Sequence, residues 1–230
     1  MSAPDHAAIY RNEAAMYHQL ISKQPELDRC IDEIRPFASL DIVDLGAGTG
    51  RLSTVLAPTA KSLVAIDASA AMLQVAADQL RQAGHRNWRT ATADLRHLPL
   101  DDDCADMVVA GWSICYLTNS DVPEWDANLA QVLSEIERIL RPGGTIVILE
   151  TMGTGFENPH PPDFLRQYYT ALTDRYGYSH TWSRTDYRFD DPTQAEALTR
   201  FFFGDELADQ VACDQSVVLP ECAGIWWKHL

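Results

Sequence analysis

The sequence has 230 residues, of which 46% are apolar and 22% charged, a composition typical of a globular chain. Its 18 basic and 33 acidic side chains give a net charge of −15, which disfavours binding to nucleic acid or to anionic lipid. The five scattered cysteines include no Cys-x-x-Cys pair, so neither a zinc cage nor a redox dithiol is supported. No leader-like segment opens the chain, and the longest nearly apolar stretch, 107–117, is too short to span a bilayer. We therefore expect a cytoplasmic protein whose cysteines are reduced thiols and which has no membrane role.

Short β-branched runs alternate with helical patterns in the first two thirds of the chain, which predicts a parallel sheet wrapped by helices. The five predicted strands cover residues 40–45, 62–66, 88–93, 105–110 and 145–149. Ser69 is placed to cap a helix that runs to Gln82 and closes at Gly84. A second helix over 125–140 is predicted to stop at Pro142, because proline cannot continue a helix.

The two ends of the chain differ from this alternating region. Residues 5–35 predict two helices separated near Pro25. The last 80 residues hold most of the aromatic side chains, and they predict strands over 182–189 and 217–227 that would form an antiparallel edge. We expect one domain over 1–230, with N-terminal helices in 1–38, a ligand-binding core in 39–150, and a lid with edge strands in 151–230.

A glycine-rich loop, Asp44-Leu45-Gly46-Ala47-Gly48-Thr49-Gly50, follows the first strand and opens a helix. Glycines let the backbone turn tightly and approach a ligand, and the helix N-terminus offers free N–H groups. Asp67 ends the second strand, where a carboxylate can accept both ribose hydroxyls, and Asp94 ends the third. Three acidic residues at successive strand ends predict one ligand-binding crevice.

In these blocks the sequence resembles the class I S-adenosylmethionine-dependent methyltransferases. The resemblance runs in order through VDLGAGTG, AIDAS-AML, TADLRHLPL, ADMVVAGWSICYL and ILRPGGTIVILE, over roughly residues 40–150. It implies a Rossmann-like α/β fold: a seven-stranded, mostly parallel sheet with an antiparallel edge strand, helices on both faces, a helical N-terminal segment and an aromatic lid. The last 80 residues resemble, less specifically, the tails of bacterial type-11-like methyltransferases of unassigned substrate.

The resemblance also implies a cofactor, S-adenosylmethionine, and a role for each matched residue. The loop from Asp44 to Gly50 would hold the methionine part, Asp67 would bind the ribose, and Gly111 with Trp112 would flank the transferring methyl. The remaining residues implied to border the adenine are Ala68, Met72, Asp94 and Leu95. The full set of implied cofactor residues is Asp44, Gly46, Ala47, Gly48, Gly50, Asp67, Ala68, Met72, Asp94, Leu95, Gly111 and Trp112.

The sequence contains no unambiguous general base, and a base is needed only if the acceptor must lose a proton. Location alone suggests Tyr17, His18, Tyr116 and His180. The acidic run 101–103 has no convergent partners, so no metal site is expected.

Three functions are compatible with these features. The first is a methyltransferase for a small, partly apolar acceptor held under the N-terminal helices and the segment 156–182. The second is a non-catalytic sensor or activating partner that binds S-adenosylmethionine, and the third a nicotinamide dehydrogenase, which the glycine spacing disfavours. No nucleic-acid acceptor is expected, because residues 110–113 lack the paired prolines of enzymes that methylate base nitrogens. The methylated atom, a protein acceptor, and the choice between monomer and homodimer stay open.

Overall fold

A computed structural model describes residues 4–230 and contains a seven-stranded sheet and a small two-stranded one. The strands are β1 (Asp41–Leu45), β2 (Ser62–Asp67), β3 (Trp88–Thr92), β4 (Ala105–Gly111), β5 (Leu140–Thr154), β6 (Ser179–Arg184), β7 (Tyr187–Arg188), β8 (Val218–Leu219) and β9 (Glu221–His229). The large sheet has the order β3-β2-β1-β4-β5-β9-β6, and β7 pairs with β8. Strands β1 to β5 pair in parallel, and β9 is antiparallel to both of its neighbours.

The predicted fold class is therefore confirmed, with one difference of detail. The antiparallel strand β9 lies inside the sheet, between β5 and β6, so that β6 forms the edge. Strand β5 is much longer than predicted and continues to Thr154, past the boundary at residue 150 that we drew between core and lid. Core and tail thus share one sheet. This single-domain division of the chain stays a prediction.

Ten α-helices surround the sheets within residues 4–230. They are α1 (His6–Asn12), α2 (Ala14–Ile21), α3 (Asp28–Ile34), α4 (Ser53–Leu56), α5 (Ala70–Gln82), α6 (Cys115–Thr118), α7 (Trp125–Ile139), α8 (Arg166–Thr170), α9 (Pro192–Phe203) and α10 (Asp205–Cys213). A 3₁₀ turn, Asp163–Leu165, precedes α8, and a π-helical turn, Ala171–Arg175, follows it. None of the helices described over 4–230 is both long enough and apolar enough to cross a membrane.

Helix α5 matches its prediction closely, and the N-terminal region does not. The Ser69 hydroxyl accepts a bond from the Met72 N–H at 3.3 Å, and Gly84 has a φ of +79° just past the helix end.

The N-terminal segment forms three helices instead of two. Glu13, with φ −126° and ψ 28°, leaves helical geometry and serves as the end of α1 and the start of α2. No proline or glycine lies at this break, so the sequence pattern does not indicate it.

The sheet is buried on both faces, which explains the unbroken apolar runs of its strands. One core packs the sheet against α7, and the other packs it against α3, α4 and α5. A third, smaller apolar cluster joins α2, α9, α10 and the two-stranded sheet through Leu20, Tyr187, Leu198, Val211 and Leu219. This cluster holds the C-terminal helices against the N-terminal ones, above the C-terminal ends of the parallel strands.

Most aromatic rings of the segment 156–182, which we predicted as a lid, belong to the core. Tyr168, Tyr169 and Tyr178 are buried in the main core, where the Tyr169 hydroxyl donates to the Thr151 carbonyl at 2.6 Å. Trp182 points to solvent from the edge strand β6. Tyr169 also packs on Trp226 of the inserted strand β9, with the ring centroids 4.5 Å apart. Two residues of the segment, Phe164 and Leu165, line a cavity described below, and its role as a lid stays a prediction.

Candidate functional site

The C-terminal ends of β1, β2 and β4 open into a cavity of about 320 Å³, which we call the first cavity. Eleven of the twelve predicted cofactor residues line it, and the exception is Gly50. Those that line it are Asp44, Gly46, Ala47, Gly48, Asp67, Ala68, Met72, Asp94, Leu95, Gly111 and Trp112. The volume falls within the range of small-molecule sites, about 300–1,000 Å³. Residues that follow β1, β2, β3 and β4 therefore converge at one cavity, and their roles toward the cofactor stay predictions.

The three loop glycines all have positive φ angles, but they serve different purposes. A Cβ on Gly46 would lie 2.1 Å from the Ser113 Cβ, so the loop can pass Ser113 only without a side chain. A Cβ on Gly48 would meet the Met72 methyl at 3.4 Å and the Gly46 carbonyl oxygen at 4.0 Å, ordinary contacts that leave the face of the loop open to a ligand. Gly50 approaches Ala76 of α5, with an added Cβ at 3.1 Å, and so permits helix packing without lining the cavity.

Asp67 is tied to the glycine loop as well as to the cavity. Its Oδ2 accepts from the Gly48 N–H at 2.8 Å, and its Oδ1 accepts from the Ser69 N–H at 2.7 Å. Burial raises the pKa of Asp67, and these backbone donors oppose that rise. Each carboxylate oxygen can accept more than one hydrogen bond, so both keep capacity for ribose hydroxyls. The predicted ribose contact fits this geometry.

Asp44 and Asp94 occupy contrasting environments at the same cavity. Asp44 is buried and accepts a 2.6 Å bond from the Ser53 hydroxyl, and burial raises its pKa to about 7. Asp94 is half-exposed, and both of its oxygens bind the guanidinium of Arg96, which lowers its pKa. An adenine amino group would have to share Asp94 with Arg96. Leu95 beside it is buried and offers an apolar surface.

Trp112 occupies the turn after β4 with a φ of +51°, and its backbone N–H donates to the Leu149 carbonyl at 2.7 Å. The guanidinium of Arg51 stacks over its ring, with the Cζ 3.9 Å from the ring centroid. Sequence reasoning missed Arg51, because an arginine in a turn just before a helix ordinarily faces solvent. Here it lies where the methionine end of the cofactor is predicted.

A second cavity of about 310 Å³ shares a wall with the first. The shared wall consists of His6, Tyr10, Tyr17, Ile21, Arg51, Trp112 and Tyr116. The other walls come from distant parts of the chain, among them Thr151, Phe164, Tyr187, Phe202 and Glu221. Most of these side chains are aromatic or apolar. The second cavity is therefore an apolar chamber next to the predicted methyl position, and only Phe164 and Leu165 come from the segment 156–182.

Of the four suggested bases, Tyr17 and Tyr116 line both cavities. The Tyr116 hydroxyl lies 2.5 Å from that of Tyr10, and burial raises the pKa of Tyr17 to about 12 and that of Tyr116 well above its usual range. At neutral pH these phenols are protonated and act as hydrogen-bond donors or acceptors.

The two suggested histidines do not line either cavity. His18 Nδ1 lies 3.2 Å from the hydroxyl of Thr49, a buried residue of the glycine loop, and burial lowers the pKa of His18. His180 stacks on Trp226 from the edge strand β6, with the ring centroids 4.4 Å apart. The structure therefore does not bring His180 to the site.

Glu221 begins strand β9 and was not predicted from the sequence. Its side chain is buried in the second cavity, where the Thr151 hydroxyl donates to Oε1 at 2.8 Å and Oε2 has no partner among the residues described. Burial raises its pKa to about 7. Over residues 4–230, no group of three or more His, Cys, Asp or Glu side chains is arranged to hold a metal ion.

Comparison with known proteins finds similarity to methyltransferases. Residues 43–148 match the family described as "Methyltransferase domain". The chain is 37% identical over 135 residues to a demethylmenaquinone methyltransferase of Clavibacter sepedonicus, covering 59% of this chain and 49% of that protein. It is also 37% identical over 109 residues to a malonyl-[acyl-carrier protein] O-methyltransferase of Pectobacterium atrosepticum, covering 47% and 38%. The chain thus spans half or less of the length of these relatives.

Solved structures support the fold. A S-adenosylmethionine-dependent methyltransferase from Aquifex aeolicus superimposes with a TM-score of 0.55 at 15% identity, covering 97% of this chain and 93% of that one. The sheet order, the glycine loop and these matches define a class I S-adenosylmethionine-dependent methyltransferase. The predicted cofactor, S-adenosylmethionine, is confirmed for this class.

Proposed function

We propose that this protein transfers a methyl group from S-adenosylmethionine to a small, partly apolar acceptor bound in the second cavity. The observation that carries this proposal is the wall that the two cavities share at Trp112 and Tyr116. An acceptor in the second cavity would lie beside the methionine end of a cofactor in the first. A protein that only sensed the cofactor would need no chamber at this position.

The cofactor supplies an electrophilic methyl on a sulfonium, so the protein has little bond chemistry to perform. A lone pair of the acceptor forms a bond to the methyl carbon as the carbon–sulfur bond breaks, and its electron pair stays on sulfur. The protein's part is to align the acceptor and to exclude water. The aromatic rings of Tyr10, Tyr17, Trp112 and Tyr116 suit both tasks, because they present broad, rigid surfaces between the two cavities.

An acceptor that must lose a proton has one carboxyl group available in the second cavity. Glu221 is the only Asp or Glu among the described residues that line it, and burial raises its pKa to about 7. A carboxyl group with such a pKa can accept a proton near neutral pH. An acceptor that is already anionic needs no base. The protonated phenols of Tyr17 and Tyr116 serve better as hydrogen-bonding groups than as bases.

The test is methyl transfer from isotopically labelled S-adenosylmethionine to components of a metabolite extract, followed by mass spectrometry of the labelled products. The matched variant is Phe202→Trp, because Phe202 lines the second cavity and not the first. We expect this variant to bind S-adenosylhomocysteine within threefold of wild type and to lose at least tenfold in transfer, about 1.4 kcal/mol. Wild-type protein that binds the cofactor and labels no component would favour the sensor function.

A further inference from the structure

The second cavity contains an unneutralised cation in a strongly acidic protein. Arg51 is the only Lys or Arg among the described residues that line it, although the chain has a net charge of −15. Nη2 of Arg51 is buried and has no hydrogen-bond partner among residues 4–230. A buried guanidinium N–H without a partner is costly, because the group has lost water and gained nothing in exchange. A ligand with a hydrogen-bond acceptor can therefore supply the partner that Nη2 of Arg51 lacks.

The one carboxyl group nearby does not fill that need. Oε2 of Glu221 is also buried without a partner in the described chain, so the two side chains do not satisfy each other by direct contact. Burial favours the neutral form of Glu221 and raises its pKa to about 7, which weakens it as a counterion. Burial also lowers the pKa of Arg51, and an anion bound beside it would reverse that effect.

Arg51 extends toward the second cavity as well as the first. The charged or ionisable groups that act on it include Tyr187 and Glu221, which line only the second cavity. The Cζ of its guanidinium lies 3.9 Å from the centroid of the Trp112 ring, a cation–π contact that holds the group at the wall between the two cavities. A planar fork of N–H groups fixed in this way matches a carboxylate or another ionised oxygen pair.

Building on the proposed function, we propose that the methyl acceptor is an organic anion of about the size of an aromatic acid, whose ionised oxygen pairs with Arg51. Its apolar body would lie against Tyr10, Phe202 and Phe203, which line the same cavity. Arg51 is then the residue that selects acidic acceptors over neutral ones. The wall shared with the first cavity places the paired oxygen close to the predicted methyl position.

The experiment uses the protein saturated with S-adenosylhomocysteine and a panel of three acids, phenylacetate, 3-phenylpropionate and 2-naphthoate, each beside its amide. Affinities are measured by calorimetry or ligand-observed NMR. We expect at least one acid to bind ten times or more tightly than its amide, and Arg51→Met to abolish that preference. Arg51→Lys should retain part of it, and Arg166→Met, which removes an exposed arginine of α8, should leave it unchanged. A panel in which no acid outbinds its amide would overturn the proposal.

A second measurement separates acceptor recognition from cofactor recognition. S-adenosylhomocysteine carries a carboxylate, and 5′-methylthioadenosine lacks the amino-acid part. Because Arg51 also lines the first cavity, Arg51→Met can weaken both ligands, and we expect the two losses of affinity to agree within threefold. If the variant loses tenfold for S-adenosylhomocysteine and nothing for 5′-methylthioadenosine, Arg51 binds the cofactor's carboxylate and the inference about the acceptor is wrong. Wild-type protein that fails to bind S-adenosylhomocysteine would instead contradict the proposed function.

Discussion

Replacing Asp67 with alanine tests the ribose assignment. The change affects both the glycine loop of the free protein and the predicted contact with the ribose. The carboxylate accepts from the N–H groups of Gly48 and Ser69, so it shapes the glycine loop before any ligand binds. In the complex, the same oxygens would also accept the two ribose hydroxyls. Asp67→Ala therefore removes two loop bonds in the free protein and two further bonds in the complex.

Hydrogen bonds to a charged group contribute about 1.5–3 kcal/mol each. The loop amides border an open cavity, where water can replace part of the lost bonding, so we expect a loss of about 2–3 kcal/mol in the free energy of unfolding. For the ligand, the loss of two ribose bonds should weaken binding by about one to three orders of magnitude. Asp67→Asn keeps the size and one oxygen acceptor, and its affinity should fall between those of wild type and Asp67→Ala.

The assay is calorimetric titration with S-adenosylhomocysteine, with thermal melts and circular dichroism as the test of folding. Asp94→Ala is a useful comparison, because both of its oxygens are already engaged by Arg96 and a smaller loss of affinity is expected. A folded Asp67→Ala protein with an affinity within threefold of wild type would refute the ribose assignment. If the alanine variant fails to fold, the asparagine variant answers the same question.

Three other predictions concern the loop, the core and the shared wall. Gly46→Ala should destabilise the protein by several kcal/mol more than Gly84→Ala, since both have positive φ but only Gly46 would press a Cβ into Ser113; equal melting temperatures would contradict this. Burial raises the pKa of Glu150 to about 7, so its contribution to stability is present below pH 4.5 and is lost as pH rises through 7. Between pH 5 and pH 8 the free energy of unfolding should fall by roughly 2–3 kcal/mol less in Glu150→Gln than in wild type, and equal falls would show that Glu150 does not titrate this way. Tyr116→Phe removes a hydroxyl contact with α1 and should increase hydrogen exchange of α1 amides, whereas an unchanged exchange pattern would exclude that contact as a tether.

Local patterns were sufficient to predict the parallel strands of the sheet, and the resemblance to methyltransferases implied residues that line the first cavity. The strands consist of β-branched, apolar runs buried on both faces, and the functional side chains follow them directly in the sequence. Helix α5 was predictable because Ser69 and Gly84 mark its two ends. Helix α9 was missed although a signal existed: Asp191 caps it and Pro192 occupies its first turn.

Other features could not be obtained from local patterns. The break at Glu13 carries no helix-breaking residue, so only packing decides it. Composition showed that the tail is aromatic, but it could not tell the buried Tyr168 from the half-exposed Phe164 that lines the second cavity. Arg51 and Glu221 are ordinary surface residue types, the first in a turn just before a helix and the second at the start of a strand. Their burial results from contacts between elements far apart in the chain.

Similarity to relatives can assign the ligand of the first cavity but says little about the ligand of the second. The family match covers residues 43–148, which contain most of the walls of the first cavity, so the cofactor can be assigned from the family. The second cavity takes His6, Tyr17, Tyr187, Phe202 and Glu221 from outside that region. The matched region supplies chiefly the wall that borders the cofactor. The substrates of the relatives therefore provide little guidance to the acceptor of this protein, and the chemistry of its own second cavity, an apolar chamber with one unpaired guanidinium, is the better guide.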